Sequence, residues 1–274
     1  ARAVAGGFWG ALGALVAAGQ LPGVSTHPGL VEALLEGHQL ALLQSVVSST
    51  HDMPAEDIAR VLEYLLEEGE GGARAAAAAD AAEEVRAAAE ELISAAAGLP
   101  AGDKRRHLAA VACAAAAAVD RFTPLEQCLH ALVATPLDGI TVHSALRRLP
   151  AACVVRLLDY LASWVALYSS ELNHVPGSEA AAEGTRAAAL LPGAMRVVEW
   201  AQAVLDAHLT KLALLPGTRA VVEGIQVMVG HELRAARKFQ PLCGIAAHMQ
   251  RRAPLAPPYG SASATYSVEL LDLC

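Results

Sequence analysis

The chain has 274 residues, 54% of them hydrophobic but only 4% aromatic, and a formal charge of −8. Alanine is the largest single contributor to the apolar fraction and is the strongest intrinsic helix former, so composition predicts helix. The negative charge excludes a protein that coats nucleic acid, because a basic surface supplies most of that affinity. The charge is uneven: residues 1–100 carry 4 Lys and Arg against 14 Asp and Glu, net −10, leaving 16 against 14, net +2, for residues 101–274. Only the second stretch suits RNA. Its basic clusters are short, at Lys104, Arg105 and Arg106; Arg147 and Arg148; Arg234, Arg237 and Lys238; and Arg251 and Arg252. Solvated helix faces and phosphate contacts both produce such clusters.

The apolar start, Ala3 to Ala18, imitates a targeting sequence but is interrupted by Gly6, Gly7, Gly10 and Gly13, and Ala1 is read as a fragment boundary. Pro28 to Ser49 is read as one helix opened by Pro28, with apolar residues at 30, 31, 34, 35, 42 and 46 and a second stripe at Leu40, Leu43 and Val47. Asp52 is expected to cap, and Pro54 to open, a helix to about Glu68 that buries Ile58, Val61, Leu62, Leu65 and Leu66. Gly69-Glu70-Gly71-Gly72 reads as a linker. The alanine-rich stretch that follows, to Ala97, reads either as a solvent-facing helix or as a low-complexity insertion.

Gly98 to Gly102 breaks that pattern, and Asp103 can cap a helix to about Asp120. This predicts a layer over residues 1–100, with the alanine-rich insert from about 70, and a second bundle over 101–274. Short helices follow from Pro124 to about Ala134 and from Asp138 to Arg148. A strong one, Ala151 to Tyr168, carries Val154, Leu158, Leu161, Val165 and Tyr168 on one face, widened by Leu157 and Trp164. Asn173 to Glu183 reads as a polar loop. Pro192 precedes a helix with Val198, Ala201, Leu205, Leu209 and Leu212 along one side. After Pro216 and Gly217, a final helix from Thr218 carries Val222, Ile225, Val229, Leu233 and Ala236, with Arg234, Arg237 and Lys238 turned away. The tail from Ala253 is rich in proline, glycine and serine and closes on Ser267-Val268-Glu269-Leu270-Leu271, a candidate docking segment. No stretch alternates in the manner of a strand. The predicted fold is all-α, an irregular helical bundle or short α-solenoid with no sheet.

Chemical signatures are sparse. The phosphate-loop, dinucleotide, zincin and nucleophile-elbow motifs are missing. Cysteines at 113, 128, 153, 243 and 274 show no metal-binding spacing and suit a reducing compartment. The longest purely apolar stretch, Leu108 to Val119, falls short of the roughly 20 residues a membrane helix needs, so no span is predicted. Asp206 and His208 sit two apart, as do Cys128 and His130, and so point in different directions on a helix. His231-Glu232 lacks a second histidine four residues on. No catalytic, cofactor or metal residue is assigned, and no membrane or small-molecule substrate. Trp164 and Trp200 read as core residues or as anchors for a partner helix, and His208 as a core or interface histidine.

Several stretches together resemble the C-terminal helical region of the nucleolar protein 11 family. They are Asp52-Met53-Pro54 with Leu62 and Tyr64; Pro124-Leu125-Glu126-Gln127-Cys128-Leu129; Leu157-Leu158-Asp159-Tyr160-Leu161; Trp200 with Leu205-Asp206-Ala207-His208-Leu209-Thr210; and Tyr266-Ser267-Val268-Glu269-Leu270-Leu271. Met53 and Ala55 depart from the family's Asp-Ile-Pro-Glu turn, the alanine-rich stretch is unmatched, and the family's N-terminal β-propeller is not part of this chain. The resemblance covers roughly residues 28–68 and 123–274. It implies a non-catalytic assembly role in the nucleolus, within the UTP-A part of the small-subunit processome, with early binding to pre-ribosomal RNA, support of 18S rRNA maturation and a link to ribosomal DNA transcription. Other UTP-A subunits are the implied partners. Candidate partner-facing residues are Trp164, Trp200, His208, Tyr266, Val268, Leu270 and Leu271; candidate RNA contacts are Arg234, Arg237, Lys238, Arg251 and Arg252. Two other readings are an α-solenoid adaptor of an unrelated trafficking or signalling complex, and an all-helical enzyme with a buried polar site.

Overall fold

The computed structural model describes residues 9–67, 72–170, 191–215 and 218–250. These residues form eleven helices and no strand, an all-α bundle as composition predicts. The linker at Gly69 to Gly71, the polar loop at 173–183, Pro216 with Gly217, and the tail from 251 lie outside the described residues.

The first helix, α1 (Trp9–Ala17), buries Leu12 and Val16. The single helix expected over 28–49 is instead two, α2 (Leu30–Glu36) and α3 (Leu40–Ser49). The break is a Schellman-type close: Gln39 N–H bonds the Leu34 carbonyl at 2.8 Å and His38 N–H the Leu35 carbonyl at 3.1 Å. His38 takes the left-handed position usually given to glycine, at φ 51°, with its Nδ1 2.6 Å from the Tyr64 hydroxyl. Gly37 is required for a different reason, since a Cβ there would lie 2.8 Å from the Trp9 ring. The two apolar stripes of 28–49 are buried as expected except at half-buried Leu42, but on two helices.

Helix α4 (Ala55–Leu66) buries the predicted stripe. Asp52 does not cap it. Its carboxylate accepts the N–H groups of Val24 at 3.0 Å and Ser25 at 3.2 Å, and the Ser25 hydroxyl. These bonds hold its pKa below the usual carboxylate range. The clamp joins the loop before α2 to the turn before α4, and Gly23 passes so close that a Cβ would sit 2.2 Å from Asp52 Oδ2.

The alanine-rich stretch is a helix with one face to solvent, as one of the two readings has it, but its other face is buried in the bundle. It forms α5 (Gly72–Gly98), whose Ala78, Ala81, Ala82, Val85, Ala88, Ala89, Leu92 and Ala96 are buried. Its neighbours are α6 (Asp103–Arg121), α3 and α7 (Pro124–Ala134). Val111, Ala112, Ala114, Ala115 and Ala118 are the buried residues of α6. Methyl-sized side chains on both helices form a seam with little room. Ala81, fully buried, is therefore expected to reject a larger residue: Ala81→Leu should cost about 1–3 kcal/mol in a denaturant titration, whereas a solvent-facing helix would leave stability unchanged.

Helix α7 is the hub. All seven residues from Gln127 to Val133 are buried, as befits a helix apolar on every side with neighbours all round. It packs against α3, α4, α5 and α10 (Ala194–Leu214). A capping box fixes its start: Thr123 N–H bonds Glu126 Oε2 at 2.8 Å, and Glu126 N–H reaches Thr123 Oγ1 at 3.4 Å, with Pro124 in the first turn. Asp138 caps the short α8 (Gly139–Leu146) through Thr141 N–H at 3.0 Å. Helix α9 (Ala151–Ser170) lies against α4 and α10 with its predicted face inward.

In α10 the buried face is Val197, Trp200, Ala201, Val204, His208 and Leu212, turned from the predicted 198–212 stripe; Leu209 is 63% exposed. Helix α11 (Thr218–Gln250) closes the described chain. Residues 1–229 are one compact unit and 230–274 a second. One core cluster runs from Leu12 to Ile225, so helices on both sides of residue 100 are parts of the first unit rather than separate layers.

Among the described residues α9 is the one helix long and apolar enough to cross a membrane, with a hydropathy of 1.4 over Ala151–Ser169. Arg156 and Asp159 interrupt the apolar run and lower that average without taking it out of the spanning range, which is why the purely apolar stretch at 108–119 draws attention first. Here α9 supplies the centre of the bundle core, with Tyr160, Leu161 and Trp164 fully buried.

Candidate functional site

The densest polar chemistry lies in the core, where α7 meets α9. Phe122, His130, Tyr160, Trp164 and Tyr168 form a continuous ring cluster. Phe122 stacks on Trp164 with centroids 4.9 Å apart, His130 meets Phe122 and Trp164 edge-on at 5.0 Å each, and Trp164 stacks on Tyr168 at 5.6 Å. Tyr160, Trp164 and Tyr168 share one face of α9 because they are four residues apart.

His130 Nδ1 lies 2.8 Å from the Tyr160 hydroxyl. Burial pushes the Tyr160 pKa well up, so the hydroxyl keeps its proton, and His130 Nδ1 is its acceptor. The other ring nitrogen, Nε2, is buried with no hydrogen-bond partner. Burial also drives the His130 pKa down to about 3, so the ring is neutral near pH 7. Cys128 is buried beside it in sequence, and its thiol is pushed up to about 12. A thiol held that high is no nucleophile near neutral pH. Gln127 uses its amide nitrogen twice, donating to the Val119 and Phe122 carbonyls at 2.9 Å each, and so pins the end of α6 to the start of α7. The cluster is a set of structural ties: its rings stack on one another and its polar atoms bond between helices.

Of the sequence candidates, Trp164 is fully buried, Trp200 is 4% exposed and His208 2% exposed. As partner-facing residues these three are corrected: their side chains are inside the bundle and present no surface. His208 Nε2 donates to the Leu146 carbonyl at 2.6 Å, tying α10 to the end of α8, while Asp206 is exposed and points elsewhere, as their spacing predicts. Arg234 and Arg237 are exposed on α11, and Leu233 is half exposed. Lys238 lies in α11, but its side chain is outside what the structure describes, as are those of His231 and Glu232. Tyr266, Val268, Leu270, Leu271, Arg251 and Arg252 lie outside the described residues.

Among the described residues a cleft of about 660 Å³ lies between α1 and α3. Trp9, Gly10, Gly13, Val16 and Ala17 form one bank, Ala41, Leu42, Gln44, Ser45, Ser48 and Ser49 the other, with Gln39 and Glu84 completing it. Two shallower clefts flank Ile140, which is 82% exposed at the start of α8. Among the described residues no group of three or more His, Cys, Asp or Glu side chains is placed to hold a metal ion.

Sequence reasoning missed the ring cluster and the cleft. The spacing of Tyr160, Trp164 and Tyr168 carries a signal for the first, and Thr123-Pro124-Leu125-Glu126 for the cap that orients His130. The cleft has no signature beyond Gly10 and Gly13, which read as interruptions.

Among the described residues, fold and site define an all-α helical bundle with a buried aromatic cluster and open clefts on its surface. No protein-family model matches the chain, and no curated protein matches it.

Proposed function

We propose that the chain is a non-catalytic interaction segment of a nucleolar ribosome-assembly complex, the UTP-A part of the small-subunit processome, where it supports pre-18S rRNA processing and ribosomal DNA transcription. One observation carries the reading: the residues behind the family resemblance are the joints of this fold. Asp52 clamps the loop before α2, Glu126 and Gln127 lock the entry to α7, Tyr160 anchors His130, and His208 ties α10 to α8. A resemblance made of such residues is one of architecture, and an architecture of this kind presents helix faces to partners. Exposed Leu233, Arg234 and Arg237 on α11 offer one such face, apolar and basic together.

The test is reconstitution. Mixed with purified UTP-A subunits, the folded chain should co-elute with at least one of them on size exclusion at physiological salt. Separate elution from all of them, with the chain's helical circular dichroism intact, counts against the proposal.

A further inference from the structure

We propose that α11 beyond Gly230 docks an acidic amphipathic helix of a partner protein. Residues 230–250 carry α11 into the second compact unit, where no other helix is described. They extend about 30 Å, at a rise of roughly 1.5 Å per residue. The sequence is a weak helix former by itself: Gly230 and Gly244 add backbone entropy to the unfolded chain, and Pro241 has no N–H to donate to the Arg237 carbonyl. A helix so punctuated depends on packing along one face. From Leu233 onward the described side chains are exposed instead: Leu233 and Ile245 are half exposed, Met249 is 70% exposed, and Arg234 and Arg237 lie open beside them.

The exposed side is apolar and basic together. Arg234, Ile245 and Met249 recur at spacings of 11 and 4, which keep to one side of a helix, and Leu233 and Arg237, four apart, complete that side. Elsewhere in the chain Arg60, Arg86, Arg148, Arg196 and Arg219 each hold a glutamate carboxylate, whereas Arg234 and Arg237 hold none among the described residues. The local sequence offers little compensation, since residues 230–252 set Arg234, Arg237, Lys238, Arg251 and Arg252 against Glu232 alone.

Charge complementarity selects the occupant. A guanidinium takes a carboxylate through two parallel N–H bonds, so two such pairs fix the register of a helix laid along α11. Apolar side chains of that helix then cover Leu233, Ile245 and Met249. RNA phosphate would answer the charge but leave those three side chains in water. A second copy of α11 would cover them but set guanidinium against guanidinium. The inference rests on the reading of this chain as an interaction segment and adds the chemistry of one partner.

The experiment uses the full chain and two labelled helical peptides of about 20 residues, long enough to span the segment, built of leucine, alanine and glutamine. They are identical except for a central pair of glutamates or glutamines, and fluorescence anisotropy reads their binding. The glutamate peptide should bind roughly tenfold more tightly, with the advantage shrinking as salt is added. Arg234→Glu combined with Arg237→Glu should abolish that advantage and transfer it to a lysine version of the peptide, with the melting temperature unchanged. Hydrogen exchange on the unmodified chain with the glutamate peptide should show protection confined to residues 230–250. Equal affinity for the two peptides, binding of neither, a glutamate preference that survives the double substitution, or protection elsewhere overturns the proposal. So does tighter binding of a single-stranded oligouridine to the same residues, or self-association of the chain that the double substitution abolishes. No UTP-A subunit enters the assay, so its failure leaves the reconstitution result standing, and a failed reconstitution leaves this one.

Discussion

Trp164→Ala should lower the unfolding free energy by about 4 kcal/mol, the largest effect expected of any single truncation in this chain. The ring is fully buried, stacks on both Phe122 and Tyr168, and meets His130 edge-on. Removing it takes away transfer free energy and leaves a cavity between α7 and α9 that stiff neighbouring rings cannot close. A urea titration followed by far-ultraviolet circular dichroism reads the loss directly. Had Trp164 been a partner anchor on the surface, the same substitution would leave the midpoint nearly unchanged, within about 0.5 kcal/mol. The Ala substitution at Trp164 should also couple to changes at His130, because the two rings touch and their effects will not add.

Acid should destabilise the bundle through His130. Burial depresses its folded pKa to about 3 from the ordinary 6.5, so between those values the unfolded chain binds the extra proton. The stabilisation is fully present above pH 6.5 and falls away as pH drops towards 3. At about 1.36 kcal/mol per pH unit, acidification from 6.5 to 4.5 removes on the order of 2 kcal/mol through this one group. His130→Gln removes the titrating ring while keeping a polar group near Tyr160. The variant starts less stable at pH 7 and should lose about 2–3 kcal/mol less than the unmodified chain over the same window. Burial raises the Asp159 pKa, but Asp159 remains in the variant and drops out of the comparison. Parallel pH slopes for the two proteins would contradict the account.

Much of the fold is legible in the sequence where apolar residues are large and regularly spaced. The α4 stripe and the α9 face come straight from leucine and valine spacing, because those side chains differ sharply from their neighbours. Helix α5 is legible as a helix but not as core, because alanine stands on its buried and exposed sides alike and carries little periodic signal. The α10 face is misplaced by a rotation: His208 and Trp200 belong to the buried set, and a polar histidine counted as outward shifts the apparent stripe.

Local punctuation is harder. Gly37 and His38 end α2 through a contact with Trp9 and a bond to Tyr64, partners that only the tertiary fold supplies. Asp52 has the spacing of a helix cap, yet its carboxylate is drawn to two N–H groups 27 and 28 residues away. The candidate site follows the same rule. Trp164, Trp200 and His208 stand out in the sequence because they are rare among leucines, and rarity does not separate a core ring from a surface anchor. The cleft depends on which small residues face one another across two helices, and no spacing within either helix records that.

The central claim is that this bundle works by holding other macromolecules, in the setting the family resemblance implies. Affinity purification of the tagged full-length protein from nuclei, followed by mass spectrometry, addresses it most directly. UTP-A subunits should be recovered in near-equal amounts with the bait. A folded bait recovered with none of them, or with the components of a trafficking complex in their place, would contradict it.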